Sequence, residues 1–156
     1  MSIRRSVLGL AAWLVVTFAA ASAGALFQPG DWYAQLQKPT WIPPDGVFAP
    51  VWIALYLLMA VSAWLVWRAS EWRAATVALG LFLVQLAFNS AWSWLFFGLH
   101  RPGWALVDVV LLWFTILAMV AAFWRHSRMA ALLLVPYAAW TFFAAVLNLS
   151  VWSLNA

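Results

Sequence analysis

Five long apolar runs, separated by short polar breaks, make up nearly the whole chain. They cover residues 6–27, 47–67, 74–99, 104–124 and 129–152. Each is about 20 residues or more, enough at about 1.5 Å per residue to cross a hydrocarbon core about 30 Å thick. None alternates apolar and polar positions, and each is about twice the length of a membrane strand. The pattern predicts an all-α integral membrane protein, one domain over residues 1–156, built as a bundle of five transmembrane helices. The first run follows Arg4 and Arg5 and contains Ala21-Ser22-Ala23, features shared with signal peptides. Its apolar stretch continues past that point, so a retained helix is expected.

The longest polar break, residues 28–46, is unlike the others. Pro39, Pro43 and Pro44 forbid a continuous helix there, since each removes a backbone donor and biases the preceding residue toward extended geometry. Trp32, Tyr33, Trp41 and Ile42 are too apolar for a free linker. A connection of this length is usually functional or disordered. Its aromatic content predicts an ordered lid folded over whatever the helices enclose.

Charge sets the orientation. Residues are 68% hydrophobic and only 8% charged, against roughly 25% charged in a soluble domain. Arg4, Arg5, Arg68, Arg73, Arg125 and Arg128 fall on one side of a five-span bundle, Lys38 and Arg101 on the other. The positive-inside rule then puts the amino terminus in the cytoplasm and the lid outside. The net charge of +4 is spent in these loops and does not point to nucleic acid. Cysteine is absent, which excludes disulfides, thiolate metal sites and a cysteine nucleophile. His100 and His126 fall at opposite membrane edges, so a haem or metal centre finds no ligands.

Polar residues at depth carry the remaining information, because an unpaired polar group in hydrocarbon is costly. Gln85 and Asn89 share a face of the third helix, and Ser93 extends it. Thr141, Ala144 and Asn148 align on the fifth, and Trp52 and Tyr56 on the second. These groups fit two readings: interhelical hydrogen bonds, or a pocket of π-faces with a few donors. Asp108 reads as a first-turn acid facing the helix dipole, or as a partner for Arg101, in preference to a proton relay. Pro136 is expected to kink the fifth helix. Fourteen tryptophans exceed what aromatic belts require.

Read in order, Trp32-Tyr33, Lys38-Pro39-x-Trp41-x-Pro43-Pro44, Pro50-Val51-Trp52, Leu55-Tyr56, Gln85-Leu86-x-x-Asn89-x-x-Trp92, Phe96-Phe97-Gly98, Gly103-Trp104-Ala105-Leu106-Val107-Asp108, Pro136-Tyr137-x-x-Trp140 and Leu147-Asn148 resemble the tryptophan-rich sensory protein/translocator protein family. The resemblance implies a five-helix bundle, often a homodimer, that takes protoporphyrin IX or similar hydrophobic molecules beneath the first loop. The porphyrin is then a ligand rather than a cofactor. Carried over by position, the family's ligand-contacting tryptophans are Trp52 and Trp140, its helix-three asparagine is Asn89, and its small residue of helix five is Ala144. Trp41, Tyr56, Gln85, Phe88, Trp92 and Asn148 complete the candidate ligand-binding set. Some members support light-dependent porphyrin breakdown, for which Trp52 and Trp140 would be the catalytic residues.

The animal sterol-recognition pattern is absent: its Tyr and Arg positions hold Leu149 and Ser153, and the sequence stops at Ala156 without a basic tail. A bacterial-type member in a bacterial cell membrane is expected rather than a mitochondrial one or an outer-membrane protein. The leading expectation is a porphyrin-binding receptor or regulator. A light-dependent porphyrin-degrading enzyme and a tetrapyrrole or sterol transporter are the alternatives.

Overall fold

The computed structural model describes residues 2–70 and 72–156. Within them every regular element is helical. Helix α1 is Ile3–Gly24, and α2 (Asp31–Gln35) lies within the lid. A 3₁₀ turn, Asp45–Val47, leads into α3 (Phe48–Ala69). Next come α4 (Trp72–Ser93), a π-helical turn (Trp94–Gly98) and α5 (Pro102–Trp124). Last are α6 (Arg128–Leu133) and α7 (Val135–Leu154). Five stretches are long and apolar enough to cross a membrane: Ile3–Gly24, Asp45–Ala69, Arg73–Gly98, Pro102–Trp124 and Arg128–Leu154. The chain is therefore a multi-pass integral membrane protein, and its outer face meets lipid.

The helices pack as α1 on α3 and α4, and α5 between α4 and α7. A core of Met59, Phe82, Ile116, Met119, Phe123 and Tyr137, all fully buried, fills the centre of the bundle. Helix α1 can approach closely because Gly9 has no side chain: a Cβ there would lie 2.2 Å from the Trp67 ring. Two polar ties gather one end of the bundle. Trp64 Nε1 donates to the Ser6 carbonyl at 2.9 Å, and Ser70 Oγ lies 2.7 Å from His126 Nδ1. The amino terminus and both basic loops thus share an edge, and the lid meets the end of α7 at the other. Single cysteines at Ser2 and Ala156 should label from opposite sides of sealed vesicles. Labelling from one side would overturn this arrangement.

The spans depart from simple helices in two places. The fifth is broken at Leu134, two residues before Pro136. Proline has no N–H for the carbonyl four residues back and crowds the turn before it, so the chain closes α6 and restarts as α7. Near the end of the third span, Leu99 N bonds to the Trp94 carbonyl at 2.8 Å, a wider turn than an α-helix makes. Gly98 lets Phe27 pack closely there: a Cβ would lie 2.8 Å from Phe27 Cδ1 and push that ring aside.

Asp108 does not occupy the place expected of it. Helix α5 begins at Pro102, so Asp108 lies in the second turn rather than the first, 7% exposed. Its Oδ2 has no hydrogen-bond partner among the described residues, and Arg101 does not pair with it.

A candidate ligand cavity beneath the lid

The lid is ordered by aromatic packing. Trp32 stacks on His100, with ring centroids 4.3 Å apart, and Tyr33 meets Phe96 and Phe97 edge-on. Trp41 sits edge-on to Phe143 at 5.9 Å. Beneath it lies a cavity of about 900 Å³, walled by α1, α3, α4, α5 and α7 and closed above by lid residues including Tyr33, Lys38 and Ile42. That volume is near the upper end of the range for small-molecule sites, roughly 300–1,000 Å³.

Seven of the ten residues expected at the site line this cavity: Trp52, Tyr56, Asn89, Trp92, Trp140, Ala144 and Asn148. Three do not. Trp41 is 47% exposed and does not border the space; it rests edge-on against Phe143, which does. Gln85 is fully buried behind Tyr137, and Phe88 packs against the core. Phe48, Phe96, Phe97 and Phe143 line the wall but escaped the sequence reading. The run of aromatics in 94–97 was a signal for two of them. What brings them inward is the π-helical turn, which groups Trp92, Phe96 and Phe97 with centroids 5.0–5.7 Å apart.

Most polar groups in the wall are already used. Tyr56 donates to Asn89 Oδ1, and Asn89 Nδ2 donates to the Tyr137 hydroxyl at 2.8 Å. The Tyr137 hydroxyl donates to Gln85 Oε1 at 2.7 Å, and Gln85 Nε2 donates to Met59 Sδ at 3.6 Å. This chain binds α3, α4 and α7 together, so both readings of the deep polar residues apply at once: Tyr56 and Asn89 line the cavity while bonding across helices. Trp92 Nε1 donates to Asn148 Oδ1, and Asn148 Nδ2 to the Pro102 carbonyl, both at 2.9 Å. By contrast, neither the Trp52 nor the Trp140 indole N–H has a hydrogen-bond partner among the described residues.

Charge gathers at the mouth. Lys38 Nζ lies over the Tyr33 ring, 4.4 Å from its centroid, a cation–π contact. Burial raises the Tyr33 phenol above its ordinary value of 10.0 and the Asp45 carboxylate adds to this, so the ring beneath Lys38 stays neutral at physiological pH. Asp31 and Asp45 also border the space, whereas Arg101 does not.

The sequence matches the model of the TspO/MBR family over residues 8–153. The chain belongs to the TspO/MBR family. Its TspO/MBR relatives include Protein CrtK of Rhodobacter capsulatus, 41% identical over 146 residues, 93% of this chain and 91% of that protein. The translocator protein of Sus scrofa is 48% identical over 128 residues, 80% and 75% of the two chains. Tryptophan-rich protein TspO of Chlorobaculum tepidum is 40% identical, covering 97% of this chain and 98% of its own. The TspO/MBR match spans all five membrane-crossing stretches and the lid.

Proposed function

We propose that this protein is a membrane receptor or regulator that binds a flat, metal-free porphyrin such as protoporphyrin IX in the cavity beneath the lid. One observation carries the reading. Trp52 on α3 and Trp140 on α7 line the space, and their N–H groups are uncommitted while the amides of Asn89 and Asn148 are already spent. The cavity thus offers a ligand π-faces and a few uncommitted donors, the two indole N–H groups and the Thr141 hydroxyl, which has no hydrogen-bond partner among the described residues, in a mostly apolar wall that suits an aromatic macrocycle. Lys38 can hold one carboxylate tail at the mouth, where a charged tail remains near water.

Titration of the purified protein with protoporphyrin IX, followed by tryptophan fluorescence, tests this. Saturable quenching is expected, and none in a Trp52→Ala, Trp140→Ala double variant at the same concentrations. Unaltered quenching in the double variant would overturn the reading. The mouth adds a specificity prediction. One cation stands there against Asp31 and Asp45, so coproporphyrin, with four carboxylates, should bind about tenfold more weakly than protoporphyrin IX, with two. Equal affinities in competition would remove Lys38 and the two acids from recognition.

A second reading is favoured by the same indoles: light-dependent breakdown of the bound porphyrin with dissolved dioxygen as the oxidant, Trp52 and Trp140 exchanging single electrons with the excited ring and stabilising the radicals that form. Product analysis under illumination distinguishes it from binding alone.

We read the protein as one of a bacterial cell membrane, with little affinity for sterols. Leu149 is an exposed hydrocarbon, and the Ser153 hydroxyl turns back to the Ser150 carbonyl at 3.0 Å. That face lacks both the hydroxyl and the cation of the animal pattern. Cholesterol should displace protoporphyrin IX only weakly; matched affinities would contradict this.

A further inference from the structure

We propose that Asn155 is a positioning residue that latches the lid over the cavity and so sets how fast a ligand enters and leaves. The proposal rests on the reading of the cavity as a ligand site. Gln37 N donates to Asn155 Oδ1 at 2.9 Å, and Asn155 Nδ2 donates back to the Gln37 carbonyl at 2.9 Å. One side-chain amide thus stands in for a peptide unit and makes the reciprocal pair of bonds that two antiparallel strands exchange. The latch is itself held in place: Nδ2 also donates to the Val151 carbonyl at 2.7 Å, and the Asn155 backbone N–H bonds to the Trp152 carbonyl at 3.1 Å.

Among the described residues, these two are the only hydrogen bonds from residues 30–43 to a membrane-spanning helix or its end. The other attachments are apolar: the ring contacts of Trp32, Tyr33 and Trp41, and the packing of Leu36 and Ile42 against the cluster of Phe96, Ala105, Leu147 and Val151. Apolar contacts are weakly directional and let a lid slide; hydrogen bonds have a direction and fix its register. The bond falls where register matters most. Gln37 directly precedes Lys38, whose side chain borders the cavity. Both Gln37 and Asn155 are exposed, so water competes for the pair. Each such bond contributes modestly, which suits a latch that must open.

The side chain is specific for this task. Alanine removes both bonds. Aspartate keeps the acceptor for the Gln37 N–H but sets a carboxylate oxygen against the Gln37 carbonyl.

The test uses the full chain in lipid nanodiscs, with two readouts. Hydrogen exchange at the Gln37 amide needs no ligand. It should quicken about three- to tenfold in Asn155→Ala, remain near wild type in Asn155→Asp, and leave the helix amides unchanged. Stopped-flow quenching with protoporphyrin IX should give association and dissociation rates that both rise about three- to tenfold in Asn155→Ala, with affinity and unfolding temperature unchanged. Aspartate should be intermediate in these rates. Unchanged Gln37 exchange in Asn155→Ala, or faster exchange spread over every helix, overturns the latch. Faster Gln37 exchange with unchanged ligand rates overturns its control of access. If the wild-type protein takes up no protoporphyrin IX, the cavity reading fails, and the exchange experiment still decides whether Asn155 holds the lid.

Discussion

Replacing Trp140 with alanine is expected to weaken protoporphyrin IX binding about tenfold to a hundredfold, and Trp52→Ala by a similar factor. A stacked aromatic pair contributes about 0.5–1.5 kcal/mol beyond its buried area, and the lost ring surface adds a comparable amount. The total, about 1.5–3 kcal/mol, corresponds to that range of affinity. Trp140 is the cleaner site. Its neighbours are Phe48, 5.9 Å away and edge-on, and Phe143 at 5.2 Å, so truncation enlarges the cavity without breaking a hydrogen bond. Trp52 instead rests on Tyr56 and Tyr137, which belong to the buried polar chain. Phenylalanine at either site keeps a π-face and removes only the N–H. It should hold affinity within about fivefold, since a single hydrogen bond contributes about 1 kcal/mol or less. Porphyrin loss under illumination, if it occurs, should fall much further in the same variants, because phenylalanine is a far poorer electron donor than indole. Trp104→Phe, at a position 66% exposed, should alter neither quantity. Fluorescence titration and absorbance decay under light read the two effects separately. Wild-type behaviour of both pocket variants in both assays would move the site elsewhere.

Tyr137→Phe should destabilise the bundle by about 1–3 kcal/mol. The hydroxyl accepts from Asn89 and donates to Gln85, so its removal orphans one donor and one acceptor at once. Interhelical hydrogen bonds in membranes average about 0.6 kcal/mol and reach about 1.7, because chains unfolded in lipid also find partners. Here Gln85 and Tyr137 are wholly buried and Asn89 is 7% exposed, so the upper part of that range applies to each bond. Combining Tyr137→Phe with Gln85→Leu should cost less than the sum of the two single changes. Removing both partners leaves no buried group in need of one. Unfolding in mixed micelles measures all three variants. Strict additivity, or a cost below about 0.5 kcal/mol for Tyr137→Phe, would mean that the network contributes little.

The five spans were legible in the sequence. In hydrocarbon each backbone group must be satisfied within its own helix, so length and hydropathy alone mark where the chain crosses. The proline-rich stretch announced an ordered lid for a similar local reason: its aromatics had to pack, and its prolines prevented a helix. What remained hidden depends on rotation and register between helices. Most faces of these spans are apolar, and the few polar positions that share a face do not say which of them meets the cavity. Gln85 and Asn89 share one face, yet Asn89 borders the cavity and Gln85 lies behind Tyr137. Tyr137 of α7 bonds to both and so separates their surroundings. Phe96 and Phe97 face the cavity together only because a wider turn replaces an α-helical one. Trp41 was expected in the wall and lies outside it, resting on Phe143 of α7, which lines the space. Asn155 carried no local signal at all, since its partner is 118 residues away in the chain. Partitioning into the membrane is a property of each segment, whereas a hydrogen bond or a cavity wall belongs to two or more segments. Only their packing decides it.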